Sequence, residues 1–112
     1  MSLAPIELDD GKKYTITAQN SAGIDFFQCA KSGHIAVFNA ICDFTNVSLS
    51  QWMTITNIPL GMRPVENVYG SGVHLWDGKS FPMTIGSDGD VKVFLLSTMG
   101  SYCMFNLAWY IA

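Results

Sequence analysis

His74, Trp76 and Asp77 fall within one short stretch, where a β-rich run enters an Asp77-Gly78 turn. Residues two apart on a strand share a face, so His74 and Trp76 are expected side by side with Asp77 next to them. An indole can stack on the apolar face of a sugar ring while imidazole and carboxylate groups bind its hydroxyls. The same cluster could equally be a Trp packed over a hairpin turn without a ligand. Trp52, on the side of Thr54 and Thr56 and opposite Met53 and Ile55, is a second candidate contact, with packing against an edge neighbour as its alternative. Tyr69 is a third, placed before Gly70-Ser71-Gly72, a composition that reads as a flexible loop.

Reaction chemistry finds little support. There is no Gly-x-Ser-x-Gly elbow, and His34, at the head of an apolar run, reads as structural. Asp-Gly turns account for Asp77 and Asp88, and no loop has the spacing of a calcium site or a converging carboxylate pair. Cys29, Cys42 and Cys103 lack any Cys-x-x-Cys partner, which argues against zinc. They read as buried reduced thiols, with one bridge plus a free thiol as the alternative. Gly70-Ser71-Gly72 has no Walker lysine and no following helix, so it is not a phosphate loop. Arg63, the only arginine, reads as a clamp on its own loop or a partner for an anion. The expectation is a binding domain that is not an enzyme, with neither metal nor cofactor.

The scaffold that must position these residues is a single domain, because 112 residues leave no room for two self-sufficient cores. Hydrophobic residues make up 49% and charged residues 13%, which excludes disorder and leaves a mostly neutral surface. A net charge of -3 without a basic stripe argues against nucleic acid. The apolar runs are far short of the roughly 20 residues a bilayer-spanning helix needs, so no membrane insertion is expected. Residues 1–12 read as a linker or an added start, and residues 1–10 lack the basic and apolar regions of a secretory signal.

No helical stripe is present, and β-branched and aromatic residues recur in short runs between turn residues. Nine strands are expected, over 13–18, 25–30, 34–44, 51–58, 65–69, 73–76, 81–85, 91–96 and 102–111. That density implies an all-β antiparallel fold, a sandwich or a jelly roll. Asp77-Gly78 and Asp88-Gly89 mark tight hairpins, and Pro59 and Pro64 bracket an ordered loop. Two strands are apolar on both faces. Ile35, Val37 and Ile41 oppose Ala36, Phe38 and Cys42, and Met104, Ala108 and Tyr110 oppose Phe105, Leu107 and Trp109. Such faces are rarely left in water, so a homo-oligomer is expected, the alternative being a covering loop.

Trp52 and its strand, the loop Pro59-Leu60-Gly61-Met62-Arg63-Pro64, the segment Ile85-Gly86-Ser87-Asp88-Gly89-Asp90 and the closing apolar strand together resemble the C-terminal head domains of tail and baseplate proteins from tailed bacteriophages. The resemblance covers about residues 34–112. It implies a jelly-roll-like trimer in the virion tail tip, made in the bacterial cytoplasm, that meets other tail or baseplate proteins and binds host cell-surface saccharide. It also implies a structural role for the Pro59 to Pro64 loop, and it transfers no binding residue. The alternatives are a trimerisation or capping module without a ligand, and a fragment of a polysaccharide depolymerase.

Overall fold

The computed structural model describes residues 14–111; the expected linker and the first residue of the first expected strand lie outside them. The described chain is all-β. Its strands are β1 (Gly23–Ser32), β2 (Ile35–Asp43), β3 (Trp52–Asn57), β4 (Val68–His74), β5 (Ser80–Ile85), β6 (Asp90–Phe94) and β7 (Cys103–Tyr110), with a 3-10 turn at Leu60–Met62. All pair antiparallel in one curled sheet of order β1-β2-β7-β4-β5-β6-β3.

Two expected strands merge and one is not formed. Gly70-Ser71-Gly72 is no loop: it lies inside β4, paired with β5 from Val68↔Ile85 to Val73↔Ser80. A Cβ at Gly70 would overlap the Leu107 side chain, and one at Gly72 would overlap Phe81 and crowd the Met104 carbonyl. Glycine is there because neighbouring groups cross the strand closely, not because the chain turns. The segment expected as the first strand is instead a strap. Tyr14 N–H donates to Cys29 O of β1, Gln19 N–H donates to Ile55 O of β3, and Thr17 O accepts from the buried Thr56 hydroxyl. One short segment thus bonds to both edge strands and satisfies donors and acceptors that an edge leaves open.

The inward face forms the core. Phe38 meets Phe105 edge to face at 5.0 Å, and Phe44 meets Phe81 at 5.5 Å. Burying each such ring contributes about 1.5–3 kcal/mol. The Pro59 to Pro64 loop is tied to this core, since the Trp109 indole N–H donates to Met62 O at 2.8 Å and Met62 is fully buried. Cys29, Cys42 and Cys103 are free and buried, and burial pushes their thiols up to about 11, 12 and 11.

The outward face is less covered. Register places Phe26, Ile41, Met104 and Val73 in one row across β1, β2, β7 and β4. Gln28, Asn39 and Asn106 form the next row, and Val37 with Ala108, then Ile35 with Tyr110, complete the face. Phe26, Ile35, Val37, Val73 and Tyr110 are all exposed. The second apolar face expected from sequence is therefore present in the single chain.

Candidate functional site

β4 ends at His74, so the chain enters the turn two residues earlier than the sequence pattern implies. The turn is a five-residue loop between His74 and Ser80, not a two-residue hairpin. His74 O accepts Gly78 N–H at 2.9 Å, His74 N–H donates to Lys79 O at 2.7 Å, and Gly78 takes a φ of 71°. Asp77 has a negative φ, so glycine alone supplies the left-handed step.

This loop separates His74 from Trp76, correcting the expectation of a shared strand face. The His74 side chain is 13% exposed, whereas Trp76 is 72% exposed. They remain one cluster through Asp77. His74 Nδ1 lies 2.9 Å from Asp77 Oδ1, an arrangement in which Nδ1–H donates. Lys79 N–H donates to the same carboxylate at 3.0 Å. Those two hydrogen bonds, the backbone one first, hold the Asp77 carboxyl below the usual carboxylate range.

Tyr102 completes the cluster, and sequence reasoning missed it. Its ring meets Trp76 edge to face at 5.4 Å and 87°, and its carbonyl accepts Leu75 N–H at 3.0 Å. Tyr102 takes a φ of 63°, a conformation that costs a non-glycine residue roughly 1–2 kcal/mol. Strain of this kind persists where surrounding contacts over-determine it. No local signal marks Tyr102, because its ring meets Trp76 only through the pairing of β7 beside β4. The result is an exposed ledge of two crossed rings beside a fixed imidazole–carboxylate pair.

Trp52 and Tyr69 lie elsewhere. Trp52 stands on β3 opposite Phe94 of β6, with the rings 5.5 Å apart. A register shift between Thr54 and Thr56 turns Thr56 inward, so Trp52 does not share a polar surface with both threonines. It packs at an edge. Tyr69 is 75% exposed but sits on paired β4, near the far end from His74. It lines a polar groove of about 240 Å³ with Asn67, Thr84 and Lys92. The five candidates thus divide into one cluster of three, plus Trp52 and Tyr69 at two other places.

Arg63 is a clamp. Its Nε donates to Ile58 O and its Nη2 donates to Asn57 Oδ1, both at 2.9 Å, and Asn57 Nδ2 donates to Asp90 Oδ1 at 2.7 Å. Asp88 Oδ1 accepts Asp90 N–H at 2.9 Å, as expected of an Asp-Gly turn. His34 lies exposed in the turn between β1 and β2, and its carbonyl accepts Ile111 N–H. Among the described residues no group of three or more His, Cys, Asp or Glu is placed to hold a metal ion.

The chain matches no model of a known protein family and no curated protein sequence.

Proposed function

We propose that this chain is the noncatalytic receptor-binding head of a bacteriophage tail or baseplate protein, a jelly-roll-like trimer that recognises host cell-surface saccharide. The observation that carries the reading is the Trp76–Tyr102 ledge beside His74 and Asp77. An indole with nearly three-quarters of its surface in water forgoes burial that the fold offers most other aromatic residues, and saccharide rings are a chemically matched occupant. The His74–Asp77 pair, already ordered by Lys79 N–H, presents polar atoms at low entropic cost. The sequence resemblance to phage head domains points to the same ligand class. A shallow ledge binds weakly on its own, and repetition around a trimer raises the effective affinity without new contacts.

The test is a glycan array of bacterial surface saccharides followed by titration of the best ligand. Trp76→Ala is expected to weaken binding about tenfold, the equivalent of the roughly 1.4 kcal/mol a stacked ring contributes. Trp52→Ala is the control and retains affinity. Equal affinity for Trp76→Ala and the parent refutes the site. An array without any ligand favours the capping-module reading, which the largely apolar outward rows of β1, β2 and β7 suit equally well.

A further inference from the structure

We infer that the outward face of β1, β2, β7 and β4 is the surface through which copies of this chain bind one another. The inference rests on the oligomeric part of the function proposed above and adds where the contact lies. Strands about 4.8 Å apart and residues about 3.3 Å along them give this face, to which β4 adds only its Val73 end, a flat footprint of roughly 400 Å². Side-chain relief raises the accessible area toward the roughly 800 Å² per partner that a stable interface removes from water. The face is also shaped. β7 and β4 pair at one end through Val73↔Met104 and His74↔Cys103. Two shallow hollows follow one another along β7 beyond that contact, one of about 530 Å³ between Asn39, Val73 and Asn106 and one of about 480 Å³ beside Ala108 and Tyr110.

The chemistry selects a second copy as the occupant. None of the outward positions in the four rows, from Phe26 and Val73 to Ile35 and Tyr110, is Asp, Glu, Lys or Arg. A charged partner would therefore lose hydration without gaining a counter-charge. A lipid surface would strand the amide row of Gln28, Asn39 and Asn106, because hydrocarbon offers no hydrogen bonds. The same row carries donors and acceptors in equal kind, so it can be satisfied by another copy of itself. Apolar rows on either side exclude water from that contact.

Two measurements on the full chain test this. Light scattering behind size-exclusion chromatography is expected to give a multiple of the 12.3 kDa chain mass. Ala108→Lys and Val37→Lys are expected to return it to a single chain, with far-UV circular dichroism showing that each variant folds. Leu60→Lys, on the exposed 3-10 turn away from the face, leaves the mass unchanged. Hydroxyl-radical footprinting of the unmodified chain needs no variant. Tyr110 and Trp76 are 73% and 72% exposed in one chain, so protection of Tyr110 with full labelling of Trp76 supports the interface. A monomer, or equal labelling of both residues, overturns it. An oligomer unaffected by either lysine also overturns this face but leaves the trimeric head reading standing. A dimer abolished by both lysines supports the face and refutes the trimer.

Discussion

The two Asp-Gly hairpins begin with the same local chemistry and end with opposite roles. Each aspartate accepts the backbone N–H two residues on, from Lys79 in one turn and Asp90 in the other. Each glycine takes a positive φ, 71° at Gly78 and 90° at Gly89. At the β5–β6 turn the space beside the glycine is occupied: a Cβ on Gly89 would lie 2.6 Å from Arg63 Nε and 2.7 Å from Ile58 O. At the β4–β5 turn a Cβ on Gly78 would meet nothing within 4 Å. One hairpin is closed over by the arginine clamp and serves the fold. The other is left open, and its aromatic residue faces water. Shared turn chemistry therefore says little about use, which depends on what the rest of the chain brings alongside.

The largest effect expected from this contrast is that of alanine at the two glycines. Gly78→Ala carries only the left-handed backbone cost, about 1–2 kcal/mol. Gly89→Ala adds overlap with the clamp and is expected to reach about 3 kcal/mol or more, since overpacking costs a further 1–3 kcal/mol. Urea denaturation of both variants checks the ordering, and equal losses would mean that the clamp is loose.

Arg63→Lys comes next. A single ammonium cannot reproduce the planar fork that reaches Ile58 O and Asn57 Oδ1 together, so a loss of about 1–2 kcal/mol is expected. The same denaturation series measures it. Saccharide binding at the Trp76 ledge should be unchanged, which separates the clamp from the site.

The smallest effect is the pH dependence of the open hairpin. The Asp77 carboxyl titrates below its ordinary value of about 3.9, so the stability it contributes is present above that pH. That contribution is lost as pH falls through the lower folded value. The gap in melting temperature between the parent and Asp77→Asn is therefore expected to narrow on acidification below about pH 4. A gap that widens there would contradict the His74 and Lys79 bonds to this carboxylate.

Most of the scaffold was legible because strand signals are local. Alternation put Phe38 on the opposite face from Val37, and Phe105 and Trp109 opposite Met104 and Tyr110, and the structure turns the first of each set inward and the second outward. The misreadings share a cause. Gly70 and Gly72 have the composition of a loop, yet they make room for Leu107 and Phe81, which are remote in sequence. Thr56 looks like a surface residue, yet a bulge turns it inward to donate to Thr17 O. Of the candidate site, His74, Trp76 and Asp77 were legible through the turn that holds them together. Tyr102 was not, because its ring reaches Trp76 only after β7 pairs beside β4.

The sequence by itself determined the all-β class, the two Asp-Gly turns, and the apolar character of both faces of β2 and β7. Each of these follows from periodicity or backbone preference over a few neighbouring residues. Only the tertiary structure decided which hairpin is locked and which is open, that Trp52 is an edge residue, and that Trp76 gains a crossed ring. Those outcomes depend on pairs such as Arg63 with Asn57 and Trp76 with Tyr102. In each pair the geometry is set by strands and loops that have already closed around them, so it cannot be read from either residue's own neighbours.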